Sequence, residues 1–366
     1  MTTYLLAGGG TAGHVNPLLA TADALRVREP DATILVLGTA EGLEARLVPA
    51  RGYELLTIPR LPFPRRPNGD ALRFPGRWRT SVERTRGLLR EHGIDVVIGF
   101  GGYASAPAYR AARLEGVPIA IHEQNAKPGF ANRMGAALTR FVGVTFAATR
   151  LRHARVVGMP LRREIAELDV PAARQEARRL FGFDERRPVL LVTGGSIGAR
   201  RLNESISAEV AVLLGSGWQV LHITGSRSPV VDPHLDGYRI LEYCDRMELA
   251  LAVAELAVSR AGASIVAELQ ALGIPAVLVP YAVGNGEQAF NARDAVAAGG
   301  AIVVADAAFD ADYVRTELPA LLADRARLAH MAASMSSIGH RDGAERMADL
   351  VAEALASRSA VPTSAA

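Results

Sequence analysis

Three glycine-rich turns constrain the fold of this chain more than any other feature. Each follows a short apolar run typical of a buried strand and precedes a helical pattern, at residues 8–14, 194–200 and 259–264. A strand that leads through such a turn into a helix begins a βαβ unit with parallel strands. Since the carboxyl ends of parallel strands meet at one edge of a sheet, all three turns fall where ligands of open α/β sheets bind.

The strand pattern runs once through each half of the chain. It predicts strands at 3–7, 33–37, 96–99, 118–121, 141–144 and 154–157, a linker at 158–169, and further strands at 189–193, 219–224, 256–258, 276–279 and 301–304. A chain of 366 residues can build two ordinary cores. We expect two doubly wound lobes with a cleft between them, 1–158 and 159–340. The segment 341–366 is expected to return a helix to the first lobe and to end in a disordered tail at 361–366.

Composition and charge exclude several other classes of protein. The single cysteine, Cys244, allows no intramolecular disulfide. The start lacks the regions of a signal peptide, and no apolar run approaches the ~20 residues that span a bilayer. Residues 1–160 hold 21 Lys and Arg against 12 Asp and Glu, a net +9, whereas the rest hold 20 against 26, a net −6. We expect a soluble or peripheral cytoplasmic protein, and its two halves carry opposite net charges.

The first glycine turn is a candidate anion site. Backbone N–H groups and a helix N-terminus attract negative charge there, at Gly10, Thr11 and Gly13. A tight turn that only allows close packing is the alternative. A dinucleotide also needs an acidic residue at the end of the second strand, where residues 37–39 read Leu-Gly-Thr, so NAD is disfavoured. His14 is a candidate general base for an attacking hydroxyl, with a capping role as the alternative.

Polar side chains follow the third turn and, separately, the predicted strand at 276–279. Ser264 and Glu268 stand one helical turn apart on one face, where a carboxylate suits recognition of a ribose diol. Glu287, Gln288 and Asn291 crowd the first turn of another helix, where they can bind sugar hydroxyls without a metal. A solvated helix face and a capped helix start are the respective alternatives.

Metal ligands and covalent catalysts are poorly represented. The chain has no metal-spaced Cys and His cluster and no Gly-x-Ser-x-Gly elbow. Asp310 and Asp312 precede a helical pattern, and Asp310-Ala311-Asp312 is interpreted as a helix cap. No cofactor is expected to be required, although assistance by a divalent cation is left open.

Together these segments resemble the MurG family, whose peptidoglycan transferase moves N-acetylglucosamine from UDP-N-acetylglucosamine onto lipid I. The matching segments follow the family's order and span roughly residues 4–300: GGGTAGH at 8–14, GFGGY at 99–103, HEQN at 122–125, GGSIGA at 194–199, SRAGA at 259–263, and Gln288 with Asn291 and Ala292. The resemblance implies an α/β fold of the GT-B type, with two Rossmann-like lobes. It also implies an inverting transfer to the C4 hydroxyl of the muramoyl sugar, which forms lipid II.

The resemblance implies a role for each matching residue. In the first lobe, His14, Tyr103 and Asn125 would line the acceptor site beside the glycine turn, with His14 as the candidate base. Arg162, in the linker, matches an arginine that faces the donor phosphates.

In the second lobe, the resemblance implies a site for UDP-N-acetylglucosamine. Glu268 would take the ribose hydroxyls, and the uracil would meet the backbone near Cys244. The remaining donor contacts would come from Gly195 and Ser196 at the diphosphate, from Ala263 and Gln288 at the sugar, and from Ser264, Asn291 and Asn125.

Three positions depart from the family pattern. Ile197 replaces a common Gln in the diphosphate loop, Met159 replaces a common Asn, and Glu287 stands where many members have His or Gln. These departures bear on donor selectivity, although the backbone donors of the loop are unaffected by an Ile.

The stretch 60–90 points to a membrane. It carries nine arginines against Asp70 and Glu83, interleaved with Leu61, Phe63, Phe74 and Trp78. Basic residues with aromatics suit an anionic lipid surface; an arginine-rich solvated helix is the alternative. An acceptor with a polyprenyl tail would require such a surface, so we expect a peripheral protein on the cytoplasmic face of the cell membrane. Other cell-wall synthesis proteins are possible partners, and nucleic acid is not expected.

Two other functions remain open at this stage. Another GT-B enzyme with a UDP-sugar, such as a natural-product glycosyltransferase or an epimerase, would share the second-lobe turns. Tyr103 and the segment 122–125 count against it. A non-catalytic paralogue in wall synthesis is the other alternative, against which the presence of His14, Glu268 and Gln288 argues.

Overall fold

The computed structural model describes residues 1–64, 69–195, 198–281 and 286–359. They form two compact units, Met1–Arg162 with the chain from Asp342 onward, and Arg163–Arg341. The sequence predicted boundaries after residues 158 and 340. The structure places them after residues 162 and 341, four residues and one residue later. Residues 159–162 stay with the first unit because Met159 is buried and the preceding Gly158 carbonyl accepts a hydrogen bond from His122 Nε2 at 2.9 Å. The tail expected at 361–366 lies outside the described residues.

The first unit is built on a parallel sheet that, among the described residues, has seven strands in the order β3-β2-β1-β4-β5-β6-β7. The strands are β1 Thr3–Ala7, β2 Thr33–Gly38, β3 Glu54–Thr57, β4 Val96–Gly99, β5 Ile119–Glu123, β6 Phe141–Val144 and β7 Ala154–Val156. The helices between them are α1 Ala12–Arg28, α2 Glu44–Ala50, α3 Gly69–Glu91, α4 Ser105–Glu115 and α5 Phe130–Gly135.

The second unit repeats this plan with a sheet of six described strands in the order β10-β9-β8-β11-β12-β13, again all parallel. The strands are β8 Val189–Thr193, β9 Gln219–Ile223, β10 Tyr238–Leu241, β11 Leu256–Ser259, β12 Ala276–Leu278 and β13 Ala301–Val303. The helices are α6 Arg163–Ala166, α7 Val170–Phe181, α8 Arg200–Gly215, α9 Met247–Val253, α10 Ala263–Leu272, α11 Glu287–Asn291, α12 Arg293–Ala297, α13 Ala311–Ala323 and α14 Arg325–Ile338. Asp310 caps α13 through the Tyr313 N–H, as expected.

Both faces of the first sheet are covered, which explains the nearly continuous apolar strands. Along β1, Tyr4 and Leu6 enter one buried cluster, and Leu5 and Ala7 enter the cluster on the opposite face. Side chains alternate between the two faces of a strand and return to the same face of a helix every 3.6 residues. These two repeats therefore decide which residues form the core. No helix within the described ranges is long and apolar enough to cross a bilayer.

A last helix, α15 Gly343–Ser359, completes the first unit. Its buried residues Met347 and Val351 join the same cluster as Leu6. Two ion pairs flank this contact, Arg28 with Asp349 at 2.7 Å and Arg155 with Glu353 at 2.8 Å. Because these four side chains are partly exposed, apolar burial contributes more to the docking of α15 than the ion pairs do.

The sequence pattern missed two strands and ended another, β5, two residues early. Strands β3 and β10 were missed because their short mixed sequences, ELLT and YRIL, lack a strong apolar signal. Strand β5 continues through His122 and Glu123, two polar residues that are buried, where the pattern ended it at 121. The hydrogen bond of His122 Nε2 to the Gly158 carbonyl and the three donors to Glu123 offset part of the cost of burial.

The start of α15 gives a test of the close packing in the first unit. A Cβ at Gly343 would lie 2.2 Å from the Met159 carbonyl oxygen, whereas a Cβ at Gly87 in α3 meets nothing within 4 Å. We expect Gly343→Ala to destabilise the protein by about 1–3 kcal/mol through overpacking. The matched Gly87→Ala should stabilise it by about 0.5–1 kcal/mol, because alanine is the better helix former. Thermal unfolding checks both, and an unchanged or raised midpoint for Gly343→Ala contradicts this packing.

Candidate functional site

The glycine turn after β1 stands at the carboxyl edge of the first sheet. Gly9 and Gly10 have φ values of +151° and +91°, and Gly10 in particular adopts a conformation that favours glycine. A Cβ at Gly102, in the turn after β4, would lie 2.6 Å from the Gly9 carbonyl oxygen. The absence of side chains at these positions therefore allows two neighbouring turns to pack backbone against backbone.

His14 lies in the first turn of α1, at this meeting point. Its Nδ1 is 3.0 Å from Thr11 Oγ1, and its Nε2 would lie 3.2 Å from a Cβ placed on Gly101. Burial lowers the pKa of His14, and the Glu44 carboxylate opposes this change only in part. The imidazole is therefore neutral at pH 7. When Nδ1 donates to Thr11, Nε2 is the proton acceptor on the Gly101 side.

Glu44, at the start of α2, was missed by the sequence analysis. Its carboxylate accepts hydrogen bonds from the Gly10 N–H at 2.7 Å and from the Thr39 N–H at 2.9 Å. Burial raises the pKa of Glu44, but these hydrogen bonds outweigh it and hold the pKa below its usual value. Glu44 stands five residues beyond Thr39 at the end of β2 and is occupied by these backbone donors, so it is not the acid of a dinucleotide site.

A second buried carboxylate, Glu123, organises the loop after β5. It accepts hydrogen bonds from the N–H groups of Asn125 and Gly129, both at 2.9 Å, and from Asn132 Nδ2 at 3.0 Å. The Tyr109 hydroxyl donates to Asn132 Oδ1 at 2.6 Å. Burial raises the pKa of Glu123 despite these donors. Glu123 thus holds the backbone of Asn125, a predicted site residue. The sequence analysis quoted Glu123 within the motif at 122–125 and gave it no role.

Tyr103, in the turn after β4, is accompanied by an arginine that the sequence did not single out. The Arg60 guanidinium lies 4.9 Å from the centre of the Tyr103 ring and donates to its hydroxyl at 3.4 Å. Arg77 in α3 donates to the Arg60 carbonyl oxygen at 3.0 Å. The first unit therefore gathers His14, Tyr103 and Asn125 on the turns after β1, β4 and β5, with positive charge beside Tyr103.

In the second unit, the turn after β8 is only partly described. Ser196 and Ile197 lie outside the described residues. The Gly195 N–H donates to Thr193 Oγ1 at 3.3 Å, and the Gly198 N–H donates to the Gly195 carbonyl oxygen at 2.9 Å. A Cβ at Gly198 would lie 2.2 Å from the Thr224 carbonyl oxygen, so this turn also needs glycine for close approach.

The turn after β11 leads into α10, where Ser264 and Glu268 are partly exposed at the predicted spacing. Arg260, buried in this turn, donates to the Val279 carbonyl oxygen at 3.1 Å and pairs with Asp306 at 2.5 Å. Asp306 also pairs with Arg201 at 3.3 Å. Arg260 was quoted within a motif but was given no role, because its partners are distant in sequence.

The side-chain amides of Gln288 and Asn291, which were predicted to bind sugar, form hydrogen bonds with backbone groups. Gln288 Oε1 accepts the Tyr281 N–H at 2.9 Å. Asn291 is fully buried, and its Nδ2 donates to the Ala261 carbonyl oxygen at 3.2 Å, so it supports the turn after β11 from behind. Cys244 is partly buried, and burial raises the pKa of its thiol.

The other predicted positions are distributed along the chain. Arg162 is partly exposed at the end of the first unit, Met159 is buried in that unit, and Glu287 begins α11. Within the described ranges, no group of three His, Cys, Asp or Glu side chains is placed to hold a metal ion.

Two doubly wound units, each with glycine turns at the carboxyl edge of its sheet, define a GT-B fold. The chain matches the glycosyltransferase family 28 N-terminal domain over residues 4–143 and the C-terminal domain of the same family over residues 189–347. It belongs to glycosyltransferase family 28.

Curated relatives are similar along nearly their whole length. The chain is 62% identical over 351 residues to the UDP-N-acetylglucosamine--N-acetylmuramyl-(pentapeptide) pyrophosphoryl-undecaprenol N-acetylglucosamine transferase of Leifsonia xyli, covering 96% of this chain and 98% of the relative. A protein of the same name from Clavibacter sepedonicus is 61% identical over 363 residues, 99% of each chain.

A solved structure, MurG of Acinetobacter baumannii, is 26% identical with a TM-score of 0.78, over 96% of this chain and 100% of that one. The predicted fold class and the resemblance to the MurG family are confirmed.

Two buried histidines give a pH test of the structure. Burial lowers the pKa of His122 and of His222 to about 4, and His222 contacts the Tyr238 hydroxyl at 2.7 Å and Asn203 Oδ1 at 3.1 Å. The unfolded chain takes up these protons near pH 6.5, so stability is full above that pH and is lost as the pH falls toward 4. We expect a loss of roughly 3 kcal/mol per histidine.

Thermal unfolding between pH 7 and 4 measures this dependence. His222→Gln removes one titrating group, so its unfolding midpoint should fall less steeply with acid than that of the unsubstituted protein. The exposed His330 is the matched position, and His330→Gln should keep the original slope. Equal slopes for all three proteins contradict the burial argument.

Proposed function

We propose that this chain transfers N-acetylglucosamine from UDP-N-acetylglucosamine to the muramoyl sugar of lipid I, which forms lipid II for peptidoglycan. The observation that carries the proposal is the 62% and 61% identity, over nearly the full chain, to relatives named for this transfer. The motif set of the first unit supports it, because an enzyme with a different acceptor has no need of these same acceptor residues.

The proposed acceptor site lies on the first unit. His14 Nε2 takes the proton from the C4 hydroxyl of the muramoyl sugar, since burial keeps the imidazole neutral at pH 7. The hydroxyl then attacks the anomeric carbon in a single displacement, which inverts that centre. Tyr103 and Asn125, on the neighbouring turns, orient the acceptor beside Thr11 and Gly13, because the Gly10 N–H already donates to Glu44.

The proposed donor site lies on the second unit. Glu268 binds the ribose hydroxyls, with Ser264 one turn before it on α10. Gln288 and the Ala263 backbone bind the sugar, and the backbone near Cys244 receives the uracil. Asn291, being buried, supports the turn after β11 instead of touching the ligand.

The leaving diphosphate gains negative charge in the transition state. The N-termini of α8 and α10, 16 and 10 residues long, present backbone N–H groups and positive dipole ends at the turns that carry Gly195, Ser196 and Ala263. Arg162 is assigned to the same phosphates. Donors held in place before the reaction stabilise charge as it develops, without a reorganisation cost.

A transfer assay tests the proposal. We expect the protein, incubated with UDP-N-acetylglucosamine and a lipid I analogue, to release UDP and to form the disaccharide in equal amounts. Epimerisation of the donor without disaccharide, or transfer only to an unrelated acceptor, contradicts the proposal. Donor binding with no turnover on lipid I indicates the non-catalytic paralogue.

Two substitutions separate the proposed roles. His14→Ala should lower kcat by about 100-fold to 10,000-fold, the usual range for general-base catalysis, with little change in UDP affinity. Glu268→Ala should weaken UDP binding about tenfold or more, because it removes charge-assisted hydrogen bonds to the ribose. Calorimetry with UDP and single-turnover kinetics check the two. Unchanged UDP affinity in Glu268→Ala contradicts the ribose assignment.

Peripheral binding to the cytoplasmic face of the cell membrane is part of the proposal. Four aromatic side chains of the first unit, Phe63, Phe74, Trp78 and Phe130, form a contact cluster with ring centroids 4.7–6.1 Å apart. Phe130 is 57% exposed and the nearby Leu72 is 85% exposed. Exposed arginines of α3, at 73, 77 and 79, accompany them. Apolar side chains flanked by arginine suit an anionic lipid surface.

Vesicle co-sedimentation tests the membrane proposal. Binding should rise with the fraction of anionic lipid and fall with salt, at about 1 kcal/mol per basic residue near the surface. Joint alanine substitution of Arg73, Arg77 and Arg79 should weaken binding at least tenfold. The matched control replaces three exposed arginines of the second unit, Arg186, Arg227 and Arg327. Equal losses in both triple variants, or binding that is indifferent to lipid charge, contradict the assignment.

A further inference from the structure

The glycine turn of the first unit is built around a buried carboxylate. Glu44 is 1% exposed, and its Oε2 accepts the Gly10 N–H at 2.7 Å. Its Oε1 accepts both the N–H and the hydroxyl of Thr39, at 2.9 and 2.7 Å. The two oxygens thus join the turn after β1 to the loop after β2, across 34 residues of sequence.

Three glycines make the space that this carboxylate fills. A Cβ at Gly9 would lie 2.3 Å from Glu44 Oε1, one at Gly42 would lie 2.0 Å from Oε2, and one at Gly38 would lie 2.6 Å from Cγ. Gly38 and Gly42 have ordinary φ values, so backbone conformation does not explain them. Glycine is needed at Gly38 and Gly42 because a side chain there would overlap the Glu44 side chain.

The position of Glu44 changes what the glycine turn can do. In an anion-binding turn, the N–H groups of the turn donate to the ligand. Here the Gly10 N–H donates to a side chain of the same unit, and that side chain carries the charge that a phosphate would carry. A diphosphate at this N–H would have to displace a buried, hydrogen-bonded carboxylate and would be repelled by it.

We propose that Glu44 is a positioning residue for glycosyl transfer: it fixes Gly10 and the start of α1, so that His14 faces the Gly101 turn, and it keeps the acceptor diphosphate away from the Gly10 N–H. This inference rests on the proposed transfer and on the role of His14 within it. Glu44 itself touches no substrate.

The charge of Glu44 supports the same role. Hydrogen bonds outweigh burial and hold the pKa of Glu44 below its usual value, so the carboxylate is ionised at neutral pH. That negative charge raises the pKa of His14 against the effect of burial and makes it a stronger base. On the surrounding elements, Arg60 interacts with both Glu41 and Glu44, and Glu123 lies at the end of β5, the strand that pairs with β4.

Glu44→Gln is the informative variant, because it keeps the shape of the side chain. It removes the charge and places an amide NH₂ against one of the backbone N–H donors. We expect kcat to fall about 10-fold to 100-fold, because a small misplacement of a catalytic group slows the reaction by this order. KM for UDP-N-acetylglucosamine should change less than about twofold. The acid limb of the plot of log kcat against pH should move to lower pH, because the pKa of His14 falls when the nearby charge is lost.

Two matched variants separate charge from hydrogen bonding. Thr39→Val removes one hydrogen bond and keeps the Glu44 charge, so kcat should fall by less than about tenfold while the acid limb stays in place. Glu41→Gln removes an exposed acid three residues before Glu44 and should match the unsubstituted protein in kcat and in the pH profile.

The outcomes distinguish this inference from the proposed function. If the unsubstituted protein transfers the sugar, but Glu44→Gln keeps its kcat and its acid limb, the inference is wrong and the function stands. If Glu44→Gln lowers the unfolding temperature but leaves the acid limb of the pH profile in place, Glu44 has a structural role only. NMR titration of the His14 ring in both proteins needs no turnover, and an equal pKa in the two overturns the electrostatic part even if no transfer is found.

Discussion

The close backbone approach of the Gly9 turn to Gly102 is the constraint on which the first unit depends. Since any Cβ at Gly102 would meet the Gly9 carbonyl oxygen at 2.6 Å, the turns after β1 and β4 can pack this tightly only as glycine. The contact places His14 against Gly101 and sets the start of α1. Both the neutral imidazole and the groups around the proposed acceptor site follow from this packing.

Buried polar side chains hold the turns from within, in both units. Glu44 and Glu123 bind backbone N–H groups in the first unit, and Arg260 and Asn291 bind carbonyl oxygens in the second. Such groups are costly to bury unless they are fully hydrogen-bonded, and they hold a loop rigidly once they are. Gly10, Asn125 and Ala263 stand on or beside the loops that these side chains hold, an arrangement that limits their movement before substrate binds.

Most strands were predictable from their runs of apolar residues. Interior parallel strands are buried on both faces and carry long apolar runs, so the pattern located β1, β4, β8 and β11 closely. The edge strands β3 and β10 were missed because their short sequences mix polar and apolar residues, whereas the edge strands β7 and β13 were predicted. The continuation of β5 through His122 and Glu123 was missed because their compensating hydrogen bonds come from residues outside the strand.

The sequence alone determined the fold class and the family, because glycine turns, strand periodicity and the order of the motifs are local properties of the chain. It also placed His14 at the start of α1, and Ser264 and Glu268 on α10, because His14 follows directly on a glycine turn and Ser264 and Glu268 stand one helical turn apart. Only the tertiary structure decided the role of Glu44, the buried position of Asn291 and the pairing of Arg60 with Tyr103. These contacts join residues 30 or more positions apart, and a pattern that predicts which turns share one edge of a sheet does not say which side chain of one loop will contact another loop.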